Sequence, residues 1–314
     1  MGTIKKDKII IAGGTGALGS SLVKCFERAE IVVLSRSGQL ERKEHVRYVK
    51  WDGASQGEWV KELEGSTAVI NLVGKSVNCR YTEANRAEII RSRVEATSAI
   101  GIAIQGLCNP PKVWVNAGST AIFGNSGAVV KDESSATGRG FSPYVCKKWE
   151  KAFNAHSTPQ TRKVFLRIGM VLQRNGGILA PFLNLVRLGL GGHIGSGKQY
   201  MTWIHEADFQ NLVRWVIYDS DVLGIVHAAS PEPETNEAFM RALRKAAGIP
   251  FGLPNPAFLV HIGSKLIGTE AELVLSGRRV VSSFLLQNGF KFKYPYLHQA
   301  LKELLDKNSN STQN

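Results

Sequence analysis

The chain is short of the residues that build metal sites and disulfide scaffolds. Cysteine occurs four times in 314 residues, at Cys25, Cys79, Cys108 and Cys146. None forms a C-x-x-C pair and no His/Cys cluster has zinc-ligand spacing, so no metal is expected and the thiols read as reduced and mostly structural. No apolar run reaches the length of a membrane span. The segment Met1–Asp7 has no signal-peptide apolar region, which predicts a cytoplasmic protein without a membrane partner. Basic residues outnumber acidic ones to give a net charge of +13, yet they form no run of five or six and accompany no nucleic-acid signature. Specific nucleic-acid binding is therefore not expected, and the charge suits an anionic small ligand.

Apolar residues make up 43% of the chain, enough for a substantial core. Strand-like runs at 8–12, 31–35, 46–51, 68–73, 112–117 and 163–169 alternate with helical segments at 17–28, 57–64, 82–107 and 143–155. Fully apolar strands alternating with helices predict an α/β fold, a Rossmann-like doubly wound parallel sheet covered on both faces. After Val171 the texture changes: a helix over 178–189, a glycine-rich stretch, a short strand over 199–204, a helix over 205–218 and a last sheet strand near 225–228. Prolines then break up a smaller, mostly helical C-terminal lobe. The expected division is 1–176 with 205–229 as the nucleotide-binding domain, 177–204 with 230–305 as the substrate lobe, and 306–314 as a flexible tail.

The first strand runs into Gly13-Gly14-Thr15-Gly16-Ala17-Leu18-Gly19. A glycine turn leaving a buried strand and entering a helix aims backbone N–H groups at an anion, and a pyrophosphate is the natural occupant. Gly13 would allow the tight turn, Gly16 the close approach of a ligand, and Gly19 the packing of helix on strand. The second strand ends at Ser35-Arg36 with no acid for a ribose 2′-hydroxyl. An arginine there suits a 2′-phosphate, so NADP(H) is expected over NAD, with Arg42 and Lys43 as helpers. Asp52 is placed to meet an adenine amino group, and Asn71-Leu72-Val73-Gly74 to pass the cofactor's second ribose.

Tyr144 and Lys148 share one face of a predicted helix. A phenol with its usual pKa near 10 is a poor acid–base group at neutral pH, and a neighbouring ammonium favours its ionised form. Ser119 and Thr120 follow the fifth strand, at the sheet edge where open α/β folds bind ligands.

Together the glycine turn, the Asn71–Gly74 strand end, Gly118–Gly124 and Ser142-Pro143-Tyr144 with Lys148 resemble the extended short-chain dehydrogenase/reductases, of which sugar-nucleotide epimerases are members. The stretches Arg187–Gly192, Ile194–Tyr200 and Trp203–His205 resemble its "epimerase family" subgroup, and Leu275–Val280 with Gly289–Phe292 resemble that subgroup's C-terminal domain of unknown function. The resemblance implies an NADP-dependent oxidoreductase or epimerase-like enzyme. Ser119 or Thr120 would hydrogen-bond the reacting oxygen, Tyr144 would exchange its proton, and Lys148 would tune Tyr144 and hold the nicotinamide ribose. Phe123 stands where epimerases usually carry a tyrosine. A catalytically idle, redox-sensing NADP(H)-binding regulator is the rival reading.

Thr120, Arg187, Lys198, Gln199 and Trp203 are candidate substrate contacts, with 189–197 as a mobile lid. His205 reads as a structural, hydrogen-bonded histidine. Arg91 and Arg93 read as solvent or interface charges of a monomer or homodimer.

Overall fold

The computed structural model describes residues 6–37, 45–174 and 176–306. Arg42, Lys43 and residues 307–314 of the expected tail lie outside them.

The chain opens with β1 (Lys8–Ala12), α1 (Ala17–Cys25), β2 (Glu30–Ser35), β3 (Val46–Lys50), α2 (Val60–Leu63), β4 (Ala68–Asn71) and α3 (Glu83–Gln105). It continues through β5 (Val113–Ser119), a 3₁₀ turn over Thr120–Phe123, β6 (Val130–Lys131), α4 (Phe141–Asn154), β7 (Arg162–Ile168), β8 (Met170–Leu172) and α5 (Leu179–Arg187). Next come β9 (Tyr200–Met201), β10 (Trp203–His205), α6 (Glu206–Tyr218), β11 (Gly224–Ala228) and β12 (Glu234–Thr235). The last elements are α7 (Asn236–Ala246), α8 (Ala257–Leu266), α9 (Glu272–Leu275), β13 (Arg279–Val280), α10 (Ser283–Gln287) and α11 (Leu297–Leu305).

Seven strands form one sheet in the order β11-β7-β5-β4-β1-β2-β3, every neighbouring pair parallel. The expected doubly wound sheet is present. Its strands are apolar because both faces are covered: Ile9 to Ala12, Ile31 to Leu34 and Ala68 to Ile70 are all buried. The order reverses about β1, between β2 and β4, which opens the ligand crevice at the carboxyl ends of those strands. Helix starts follow local capping chemistry. The hydroxyl of Thr82 accepts from the Asn85 amide at the head of α3, and Pro143 occupies the first turn of α4.

The predicted strand 199–204 is two strands. β9 pairs antiparallel with β12 and β10 pairs parallel with β8. Thr202 turns the chain between them, donating its hydroxyl to the Arg278 carbonyl at 2.7 Å and accepting from the Val280 amide.

One apolar cluster fills the space around the sheet and includes Leu285 and Phe290 from the C-terminal part. A second gathers Leu179, Phe182, Trp203, Phe239, Leu243 and Leu301. Two ties bind the last segments to the rest. The Glu303 carboxylate accepts from Arg174 at 2.9 Å and faces His205 Nε2 at 3.0 Å. Glu133 accepts from the His227 amide, the Ser282 hydroxyl and the Phe284 amide. Asp306, placed at the start of the expected tail, accepts from Arg174 through its carbonyl.

Candidate active site

Three strand ends meet at Gly13. Its amide donates to the Leu34 carbonyl at 3.2 Å, while the Leu72 amide donates to the Ala12 carbonyl at 2.9 Å. Gly13 has φ +79°, and a Cβ there would lie 3.1 Å from the Leu72 carbonyl carbon. At Gly19 the demand is steric: a Cβ would stand 2.4 Å from the Gly13 carbonyl oxygen and 2.5 Å from Gly14 Cα. Thr15, Gly16 and Ala17 form the exposed tip. No side chain caps α1 at Gly16, and its first turn carries no acid, so its leading amides are left for an anionic ligand. Leu18 packs its side chain against the sheet cluster.

Next along the edge is Ser35. Its carbonyl accepts from the Trp51 amide at 2.9 Å, but its buried hydroxyl has no partner among the described residues. Arg36 follows and is exposed. An open anion cradle, an orphaned hydroxyl and an exposed guanidinium in one row fit the phosphates and ribose of a dinucleotide. Asp52 is exposed and caps its own turn, accepting from the amides of Ala54 and Ser55 at 2.8 Å each, which hold its carboxyl below the usual range.

The strand end Asn71–Gly74 differs from expectation at its first residue. Asn71 is fully buried, so its side chain is not a cofactor contact. Its Oδ1 accepts from the Val73 amide, and its Nδ2 donates to Asn116 Oδ1 at 2.7 Å and to Thr97 Oγ1 at 3.2 Å. Leu72, Val73 and Gly74 carry the backbone past the crevice. Asn71 shapes that path from behind.

Tyr144 and Lys148 come together on the solvent face of α4. The Lys148 ammonium lies 5.4 Å from the Tyr144 ring centroid, and Tyr144 is 49% exposed. Ser119 ends β5 and starts the 3₁₀ turn, its hydroxyl accepting from the Ala121 amide at 3.1 Å. α4 packs against that turn through Cys146, Ile122 and Phe123. Burial beside Glu150 pushes the Cys146 thiol up to about 12, an inert structural thiol. Phe123 is buried, edge-on to His227 at 5.4 Å.

Other expectations need correction. Thr120 is buried with its hydroxyl toward the Ile168 carbonyl. Trp203 is fully buried in the second cluster, its indole donating to the Glu232 carbonyl. Gln199 is buried and donates to the carbonyls of Ile194 and Val274. Trp203 and Gln199 hold the lobe together, and Thr120 ties the turn after β5 to the end of β7. The stretch 189–197 is pinned by bonds from Gly192 to Leu253, from Gly195 to Asn255 and from Ile194 to Asn236, an anchored strap where a lid was expected. Arg187 and Lys198 are exposed. His205 caps α6, its Nδ1 accepting from the Ala207 amide at 3.0 Å.

The sequence reading missed a buried polar network behind the site. Thr97 Oγ1 accepts from Trp149 Nε1 at 2.9 Å as well as from Asn71. Arg93, taken as a solvent or interface charge, is largely buried. It stacks on Trp149 at 5.1 Å, donates to the Lys75 and Ile89 carbonyls, and is pushed down by burial. Arg91 does pair in solvent, with Glu88 and Glu95. The helical spacing of Arg93 and Thr97 was the available signal. Among the described residues no cluster of His, Cys, Asp or Glu could hold a metal ion, and no helix is long and apolar enough to cross a membrane.

Residues 9–225 match the sequence model of the NAD dependent epimerase/dehydratase family. The chain belongs to this family. Residues 255–304 match a domain of unknown function, DUF1731. The chain is 32% identical over 308 residues to the epimerase family protein SDR39U1 homolog, chloroplastic, of Arabidopsis thaliana, covering 95% of this chain and 86% of that protein. It is 30% identical over 302 residues to the epimerase family protein YfhF of Bacillus subtilis, covering 95% and 97%. The crystal structure of human epimerase family protein SDR39U1 with NADPH matches at TM-score 0.84 and 29% identity, over 96% of this chain and 99% of that one. A UDP-N-acetylglucosamine 4-epimerase from Methanobrevibacter ruminantium shares the fold at TM-score 0.73 and 16% identity, over 96% and 98%. Membership of the epimerase/dehydratase family accords with the crevice, the glycine turn and the composite C-terminal part.

Proposed function

We propose that this chain is an NADPH-dependent oxidoreductase or epimerase-like enzyme. The observation that carries the reading is the row formed by the uncapped glycine turn, the orphaned Ser35 hydroxyl and Arg36. The family and the human relative crystallised with NADPH support it. When bound, the nicotinamide supplies hydride exchange at a carbonyl or carbinol carbon. The leading amides of α1 would hold the phosphates and Arg36 would clamp the 2′-phosphate. Ser119 uses its hydroxyl oxygen on the Ala121 amide, which leaves its O–H to donate to the substrate's reacting oxygen. Tyr144 gives or takes the proton at that oxygen. Lys148 sets positive charge beside the phenol as the proton leaves. The substrate is a small molecule, and the basic surface favours an anionic one.

The test is a fluorescence titration with NADPH and NADH on the wild type and on Arg36→Ala. NADPH should bind at least roughly tenfold tighter, and the variant should lose most of that preference. Failure of the wild type to bind either nucleotide would remove the reading.

A further inference from the structure

The helix α8 is amphipathic in the wrong sense. The residue it buries is Ser264, whereas Phe258, Leu259, Ile262 and Leu266 share one stripe by helical spacing and face solvent. Leu266 is 83% exposed and Phe258 64%. The apolar surface extends to Phe251 and Leu253 before the helix and to Leu188, itself 74% exposed. Bonds from the Leu253 amide to the Gly189 carbonyl and from Asn255 Nδ2 to the Leu190 carbonyl hold the two loops side by side. Single exposed apolar residues are ordinary, but a contiguous patch marks an interface.

Beside it lies a hollow of about 460 Å3 lined by Arg241, Arg244, Lys245, Gly248, Ile249 and Pro250. Pro250 leads directly to Phe251. The charge here is mostly basic: no Asp or Glu occurs at 151–205 or at 238–269, and Glu237, just before the second stretch, pairs with Arg241. A second copy of the chain suits this face poorly. A two-fold contact would set Arg244 and Lys245 against their own kind, with the neighbouring Glu237 already engaged by Arg241 at 4.0 Å. Projecting aromatic and aliphatic side chains next to a cationic hollow match the acyl boundary and phosphates of an anionic bilayer.

We propose that this face docks peripherally on an anionic phospholipid membrane, α8 lying in the interface plane and the Arg241–Lys245 hollow taking a lipid phosphate. This departs from the sequence expectation of no membrane partner. It concerns lying on a bilayer and not crossing one.

The test is co-sedimentation of the full chain with vesicles of phosphatidylcholine alone or mixed with phosphatidylglycerol. Binding should be at least roughly tenfold stronger to the mixed vesicles and should weaken with added salt. Phe258→Ser with Leu266→Ser, and separately Arg241→Gln with Lys245→Gln, should each reduce it about tenfold or more while leaving Tm and NADPH binding unchanged. Absence of binding to the mixed vesicles, or binding indifferent to both variant pairs, would overturn the proposal. So would a concentration-dependent dimer that the Phe258→Ser, Leu266→Ser pair abolishes without any vesicle binding.

Discussion

The indole N–H of Trp149 donates to the Thr97 hydroxyl at 2.9 Å, and the same oxygen accepts from Asn71. One oxygen thereby ties α4 and α3 to the end of β4. Lys148 is the next residue to Trp149, so this bond sets the rotation of the helix that presents Tyr144 and Lys148. Thr97→Val keeps the shape and leaves two buried N–H donors short of a partner. It should cost about 1–3 kcal/mol in denaturant unfolding. Wild-type stability in the variant would show that the network is dispensable.

The glycine turn separates two roles that its spacing alone runs together. Gly19→Ala forces a Cβ against rigid backbone 2.4 Å away and should lower stability by roughly 1–3 kcal/mol. Gly16→Ala meets only the Gly13 carbonyl at 3.5 Å, an ordinary contact. Its Tm should match the wild type while NADPH affinity falls, because the methyl group stands where a phosphate would approach. Thermal melts and cofactor titration on the pair measure both effects. Equal loss of stability in the two variants would contradict this division.

Tyr144→Phe should lower turnover roughly 10²–10⁴-fold once a substrate is found, through loss of acid–base catalysis. NADPH affinity should stay within a few-fold of wild type. Undiminished turnover would dismiss Tyr144 as the proton-transfer group.

Acid sensitivity should carry a share from His227. The ring is fully buried, bonds the Val281 carbonyl through Nδ1 at 2.8 Å and faces Arg167 at 3.4 Å. Burial pushes its pKa below the ordinary 6.5 despite nearby Glu133. Below about pH 6.5 the unfolded chain therefore binds a proton that the native state refuses. The stability from this group is complete above the unfolded pKa and is lost as pH falls below it. Between about pH 7.5 and 5.5 the wild type should lose more stability than His227→Gln. Identical pH slopes by chemical denaturation would contradict the assignment.

What could be read in advance was local. β1, the turn and α1 are contiguous, and the special conformation at Gly13 and the close packing at Gly19 fall on residue types that announce them. Tyr144 and Lys148 were legible for the same reason, four residues apart on one helix. The buried network was not, since its bonds span 26, 45 and 52 residues. Arg93 was the exception that could have been read: it shares the side of α3 that buries Ile89, Thr97 and Ile100, while Arg91 lies opposite. Trp203 was assigned toward a pocket. Pairing of β10 with β8 buries it, and that event is invisible to a window read along the chain.

The Glu133 carboxylate has a bearing on how such a chain can be taken apart. It lies within the stretch matching the epimerase/dehydratase family, while Ser282 and Phe284, two of its partners, lie within the stretch matching DUF1731. Leu285 and Phe290 of the second stretch complete the core of the first. The two matches are therefore interlocked and not beads on a string. A chimera spliced between them inherits half a seam, and exchange among relatives would succeed only when both sides of it travel together.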